Sequence, residues 1–386
     1  MKKYIIILLL FSNLYSSGQD YAFSQFDLNM MYSNPAFAGF ENNNRVLLHR
    51  RNQWMGISEK FNSNILEFNL SKDVKTQGIA GGMISWAGGF YFIENHENTV
   101  LNTFNLGIIP WTFHFQLPYN TFISMGTQNV ISYQTLDWDR LVFSDEIDEL
   151  GPTGTPTSAV QPVYSDYTKW FDPSVGFILT KHSKFKTQSG QVTSLGFAMH
   201  HLNQAIESFY NNQTTSSSVP IKYTIHGEHI GVFPDFVSKT FKFWKVFGKH
   251  ERQGEKTIQK NELGFTTTLA NSFQIEAGTM YRIARYSYGD NQGFMSESVI
   301  PMVRMRLMAI GGVGLEISYS YDFNVSKLGN INTNATNEIN LNFHFLKSKP
   351  RTCPAQGKWG KNKKWENVFL NRGKYNRSNK SNIWNW

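Results

Sequence analysis

The chain has 386 residues, with 37 Lys and Arg against 29 Asp and Glu, a formal charge of +8 and a pI near 9.3. Aromatic residues make up 15% and charged residues only 17%, below the ~25% usual for soluble domains. A mean hydropathy of −0.37 excludes a bundle of membrane helices, and a single cysteine, Cys353, excludes an intrachain disulfide framework and a lipid anchor near the N-terminus.

The chain opens like a secretory signal peptide over residues 1–18. Lys2 and Lys3 are basic, Tyr4 to Phe11 is apolar, and Ser16 and Gly18 are small residues before a cut at Gln19. The apolar run is too short for a membrane helix, which needs about 20 residues. Residues 19–44 follow as an irregular segment punctuated by Asn34-Pro35 and Ala38-Gly39, with apolar Phe23, Phe26, Met30, Met31, Tyr32 and Phe37. Such a segment, placed before the first strand of a barrel, can fold into the lumen and plug it. The alternative is a leader that packs nowhere.

Residues 45–346 read as strands. Turn residues and alternation mark them near 45–55, 61–71, 78–86, 99–109, 121–133, 172–181, 191–201, 220–233, 235–247, 257–269, 273–285, 298–309, 312–323 and 336–346. The last two carry the clearest pattern. Val313, Leu315, Ile317, Tyr319, Tyr321 and Phe323 alternate with Gly314, Glu316, Ser318, Ser320 and Asp322. Ile339, Leu341, Phe343 and Phe345 alternate with Glu338, Asn340, Asn342 and His344. A period of two puts one set on each face of a strand. Segments of about ten residues with this dyad pattern, in an even number, predict an all-β transmembrane antiparallel barrel with an apolar outside and a polar lumen.

Connections after odd strands tend to be long (134–171, 202–219, 248–256, 286–297, 324–335). Those after even strands are mostly short, as at Pro234-Asp235, Ala270-Asn271-Ser272 and Ile310-Gly311. This segregation predicts outer-membrane topology with external long loops and both termini periplasmic. The loop 137–171 is acidic through Asp137, Asp139, Asp145, Glu146, Asp148 and Glu149. Its spacing matches no EF-hand, and a solvated loop and a calcium-binding one both stay open. Residues 211–218 are low-complexity.

Residues 347–386 form a separate compartment. Eleven basic residues and Glu366 give this tail +10, and the rest of the mature chain is acidic. Trp359, Trp365, Phe369, Tyr375, Trp384 and Trp386 are interleaved with the charges. A periplasmic location argues against nucleic acid. The tail is a candidate element for binding a periplasmic partner or an anionic surface, through Trp359, Trp365, Phe369, Tyr375 and Trp386 above all; a disordered extension is the plain alternative.

No catalytic, cofactor or metal constellation stands out. Adjacent His200 and His201 would face opposite sides of a strand and could not share a metal. Glu262, Glu276, Glu316 and Asp322, with Arg282 and Arg304 or Arg306, read as a polar interior network. A diffusion channel or uptake barrel for small solutes fits these features as an alternative to an interaction barrel.

Several stretches together resemble one family. They are Phe23-Ser24-Gln25-Phe26, Asn29, Ser33-Asn34-Pro35-Ala36-Phe37-Ala38-Gly39 and Arg51-Asn52-Gln53-Trp54, then Asp172 to Phe177, Leu195 to Asn203, Ser318 to Asp322, Asn337 to Ile339, and Cys353-Pro354. The pattern resembles the PorP/SprF family of type IX secretion membrane proteins over about residues 22–355. The resemblance implies an outer-membrane barrel of gliding or adhesive bacteria without enzymatic activity. It also implies a partner, a secreted surface adhesin that the barrel helps to export or anchors at the surface. The tail is longer than the family pattern leads one to expect.

Overall fold

The computed structural model describes residues 20–345 apart from 41–43, 57–59, 78–82, 99, 118–120, 149–150, 154–165, 185–189, 210–217, 234–240, 255–258, 271–273, 289–290, 311–312 and 327–335. The signal segment, the low-complexity stretch up to Ser217 and the tail with Cys353 therefore lie outside the described residues. None of the described helices is long and apolar enough to cross a membrane.

Fourteen strands form a closed antiparallel barrel: β1 (Asn44–Gln53), β2 (Phe61–Gln77), β3 (Met83–Glu97), β4 (Leu101–Leu117), β5 (Thr121–Leu136), β8 (Tyr167–Lys184), β9 (Gly190–His200), β10 (Lys222–Val232), β11 (Phe241–Gln253), β12 (Gln259–Ala270), β13 (Gln274–Tyr288), β14 (Asn291–Ile310), β15 (Val313–Asn324) and β16 (Thr336–Phe345). Two short strands, β6 (Ile147–Asp148) and β7 (Gly151–Pro152), make a ribbon in the loop between β5 and β8. Closure runs through β1 and β16, paired from Asn44↔Phe345 to Gln53↔Thr336. Closing the sheet leaves no edge with unpaired backbone groups, which lipid could not satisfy.

The faces follow the alternation. In β15 the even, polar positions are buried and the odd, apolar ones are half-buried or exposed. Exposed apolar side chains such as Leu48, Phe92, Phe177, Leu263 and Ile339 therefore cover the outside. Lumen-facing residues are buried: Thr112, Thr224, Ser320 and Glu338 are all 0% exposed.

The strand count agrees with the sequence reading, but several bounds do not: β2, β4 and β8 are longer than expected, and three differences change the assignment. The third strand begins at Met83 and ends at Glu97, not at residues 78–86. Its outward Phe90 and Phe92 flank buried Tyr91 and Ile93, so both faces are apolar and the period of two is hidden. The expected loop 286–297 is mostly ladder, because β13 and β14 pair up to Tyr288↔Asn291. Likewise β11 continues to Gln253 through the expected loop 248–256; the expected turn at Pro234-Asp235 lies outside the described residues. The strands β5, β9 and β15, which precede the longest connections, still end at one mouth, opposite the end where Phe345 lies.

The lumen segment as candidate functional site

Residues 20–40 run through the lumen from the long-loop mouth to the other end. Their only charged residues are Asp20 and Asp27, and the wall offers cations to both. At the long-loop mouth Asp20 Oδ2 meets His201 Nε2 at 2.9 Å and Lys222 Nζ at 2.5 Å. Gln253 Nε2 donates to Asp20 Oδ1 at 3.1 Å. His201 Nδ1 is paired with Asp172. Asp20 and His201 both lie beyond strand ends. Burial alone would raise the Asp20 carboxyl, but His201 and Lys222 hold it well below the usual carboxylate range. Burial would lower His201, yet Asp20 and Asp172 carry it up to about 9.

One step deeper, Glu338 accepts from the backbone N–H groups of Ser24 (2.7 Å) and Gln25 (3.0 Å) and is paired with Arg51. Ser24 Oγ donates to Asp322 at 2.6 Å and accepts from Arg282 at 2.8 Å and Arg51 at 3.1 Å. The Gln25 amide exchanges hydrogen bonds with Ser318 and Ser320. Deeper again, Asp27 Oδ2 accepts from Lys245 at 2.6 Å and Arg304 at 2.9 Å. Arg304 also reaches Glu276 and Glu316, and Arg306 joins the same two carboxylates. The expected interior network of Glu262, Glu276, Glu316 and Asp322 with Arg282, Arg304 and Arg306 is thus present, and Asp27 is threaded into it.

The segment then turns. A single helical turn, Met30–Ser33, is followed by a 3-10 turn, Pro35–Phe37. Asn34 between them is extended, as a residue before proline prefers to be. Its Oδ1 accepts from the Ala36 N–H at 2.9 Å, capping the 3-10 turn. Its Nδ2 reaches the Phe177 and Phe197 carbonyls, both at 3.2 Å, and His226 Nε2 at 3.0 Å. The wall admits this approach because Gly176 and Gly126 face it. A Cβ on Gly176 would stand 1.9 Å from Asn34 Oδ1, and one on Gly126 2.7 Å from the Pro35 oxygen. Gly39 adopts φ +70, which favours glycine, and its N–H reaches Asn69.

Apolar islands on the wall seat the rest. Phe23 and Met31 pack with Ile65, Ala87, Tyr91, Ile93 and Ile109. Phe26 packs with Phe247, Met280, Ile300 and Met302. Met30, Ala36, Phe37 and Phe40 cluster with Ile178. At roughly 1.5–3 kcal/mol per fully buried large side chain, Phe23, Phe26, Met30, Met31, Phe37 and Phe40 together contribute on the order of 10 kcal/mol to holding the segment. The lumen face is therefore not uniformly polar, as the alternation of the last strands implies.

The expected motif residues fall in three places. Phe23, Ser24, Gln25 and Arg51 meet at Glu338. Asn34, Pro35 and Ala36 sit against β5, β8 and β9, with Gly39 beyond them near β2. Gln53 and Trp54 stay at the rim, where Trp54 stacks edge-on against Phe61 at 5.1 Å. The tail aromatics Trp359, Trp365, Phe369, Tyr375 and Trp386 lie outside the described residues. The histidine pair departs from expectation: β9 stops at His200, and His201 takes φ 60, so its ring turns back to the mouth. His200 Nε2 meets the Ser33 carbonyl at 3.3 Å, so both rings touch the segment or its anchor. Asp20, Asp27, Lys222 and Lys245 were not singled out from the sequence, because nothing local marks their pairing. Among the described residues no group of three or more His, Cys, Asp or Glu could hold a metal ion.

A closed fourteen-stranded wall with an apolar exterior, and a lumen occupied by its own N-terminal segment, define a transmembrane β-barrel with an internal filler. The model of the family "Type IX secretion system membrane protein PorP/SprF" matches residues 15–343, and the chain belongs to that family of outer-membrane barrels. No curated protein sequence matches the chain. Among solved structures it is similar to CdiB from Acinetobacter baumannii (6% identity, TM-score 0.40), with 78% of this chain covered and 60% of that one. It is also similar to the β domain of the Bordetella autotransporter BrkA (8% identity, TM-score 0.36, 78% and 98% covered) and to Pseudomonas putida OprB (7% identity, TM-score 0.35, 82% and 97% covered).

Proposed function

We propose that this protein is a non-enzymatic outer-membrane barrel that partners a secreted surface adhesin, for export or for anchoring at the cell surface, within type IX secretion and gliding motility. The observation that carries the reading is the filled lumen. A barrel whose interior is packed with its own chain offers its rims, loops and outer wall to partners and offers solutes no path. The same observation weighs against the alternative of a diffusion channel or uptake barrel. Family membership supports the secretion context. Loop lengths support an orientation with the long loops outside and the tail in the periplasm, where its basic, aromatic residues would engage secretion components.

In this orientation Asp20 stands at the external mouth and Phe345 at the periplasmic end. The sequence reading put both termini in the periplasm; the described ends, Asp20 and Phe345, lie at opposite ends of the barrel. The test is affinity isolation of the full chain from outer membranes followed by mass spectrometry. A large secreted surface protein should copurify in stoichiometric amount. Isolation of the barrel with no secreted partner, together with solute uptake that depends on it, would favour the channel reading.

A further inference from the structure

The outer wall is not apolar to the same height all round. On β15 the first outward positions from the long-loop end are Phe323 and Tyr321, and on β14 Val299 is exposed. On β16, β1, β2, β3 and β4 the corresponding positions are Asn337, then Asn52 and Arg50, then Asn62 and Asn64, then His96 and Glu94, then Asn102. Below them the face turns apolar at Ile339, Leu48, Leu66, Phe92 and Phe104. These polar groups therefore stand where the chains of an outer leaflet give way to headgroups.

They are tied to each other. Asn52 accepts from Arg50 Nε at 3.1 Å and donates to Asn337 Oδ1 at 3.0 Å. Asn64 donates to Glu94 at 3.1 Å, His96 meets Glu94 at 3.1 Å, and His96 Nδ1 meets Asn102 Oδ1 at 2.5 Å. Arg50 is exposed, and Asn52 engages only its Nε. Lipid chains cannot satisfy such groups, and burying them unpaired is costly.

We infer that this lateral patch seats the phosphorylated sugar headgroup of an outer-leaflet glycolipid, with phosphate on Arg50 and sugar hydroxyls on the Asn52, Asn64 and Asn337 amides. A guanidinium fork matches phosphate, and amides offer a donor and an acceptor side by side to hydroxyls. The internal bonds hold the side chains in place, which lowers the ordering cost of binding. A phosphate of an inner-leaflet phospholipid would satisfy Arg50 but not the amide row. The inference rests on the orientation proposed above.

The test is native mass spectrometry of the full chain in mild detergent, with titrations of lipid A and of phosphatidylglycerol. The wild type should retain lipid A in preference. Arg50→Gln and Asn64→Leu should each weaken retention, Arg50→Gln by about tenfold or more. Arg252→Gln, at another exposed outward arginine, should leave it unchanged. Heat-modifiable gel migration checks that each variant folds, and having two variants keeps the test usable if one does not. Equal retention by wild type and both variants overturns the inference, as does preference for phosphatidylglycerol. So does a photo-crosslinker at Asn62 that captures a polypeptide instead of the glycolipid. Copurification of the secreted partner is scored separately, so loss of one result leaves the other readable.

Discussion

Ser24 and Glu338, separated by 314 positions in the sequence, meet inside the barrel, where the Glu338 carboxylate accepts the Ser24 backbone N–H at 2.7 Å. Glu338 lies on β16, and its ion-pair partner Arg51 lies on β1. The strand pair that closes the barrel therefore closes against the lumen segment.

Breaking this junction should be costly. Glu338→Ala leaves Arg51 buried without its nearest carboxylate and removes the acceptor for two backbone N–H groups. Loss of one partner of a buried pair costs about 3–5 kcal/mol. The expected outcome is a lower temperature for conversion of the compact gel band to the unfolded band. Glu338→Gln keeps an acceptor and should fall between the two. An unchanged transition in Glu338→Ala would separate closure from the segment.

The mouth latch should be pH-dependent. His201 is raised to about 9, so the stability it contributes is fully present below its ordinary value of ~6.5 and is lost as pH rises through about 9. Asp20 is depressed, so its contribution is present above its ordinary value of ~3.9 and is lost only well below it. Amide hydrogen exchange around Tyr21 and Ala22, corrected for intrinsic rates, should therefore stay flat between about pH 5 and 6, accelerate progressively from about pH 6.5 to 9 and level off above that. His201→Gln should show the faster exchange at neutral pH. A wild-type profile flat through pH 10 would contradict the latch.

The outer face can be tested by charge. Leu341→Arg places a cation among lipid chains and should destabilise the barrel by roughly 2–4 kcal/mol near the midplane, whereas Asn337→Arg at the rim should cost about 0–1. Asn340 makes a poor lumen control, although a polar lumen position read from sequence suggests tolerance. Its side chain is only 1% exposed in the filled interior, so an arginine there must push the segment aside. Equal heat-modifiability of Leu341→Arg and Asn337→Arg would undo the assignment of faces.

Much of this wall is legible in the sequence. In β15 and β16 one face meets lipid and the other meets polar partners, so Glu316, Ser318, Ser320 and Asp322 announce themselves by period. In β3 and β4 the lumen face also carries Tyr91, Ile93 and Ile109 because the segment packs there, and the alternation is lost. The β13–β14 hairpin was hidden by Asn291 and Gly293, which read as a loop but pair with Tyr288 and Tyr286. The motif residues Ser24, Gln25 and Asn34 could be picked out. Their pairing with Glu338, Asp322 and His226 could not, since these lie 192 or more positions away and no local spacing encodes that meeting. The placement of Asp20 and Phe345 at opposite ends of the barrel follows from the same long-range contacts.

Orientation has its own test. A cysteine at Ser158, in the acidic loop, should be labelled by an impermeant thiol reagent on intact cells, and one at Ser378 should not, each in a Cys353→Ser background. An epitope placed directly before Asp20 should be detected from outside. The reverse pattern would turn the barrel over, and with it the proposed role of the tail.

The most direct test of the filled lumen is conductance in planar bilayers. Purified wild-type protein should insert without opening a pore. Gly176→Val puts a side chain where Asn34 Oδ1 would lie 1.9 Å from its Cβ. That variant should lift the segment from the wall and give measurable single-channel currents. Stable wild-type openings of porin size, unchanged by Gly176→Val, would contradict a barrel closed by its own N-terminal segment.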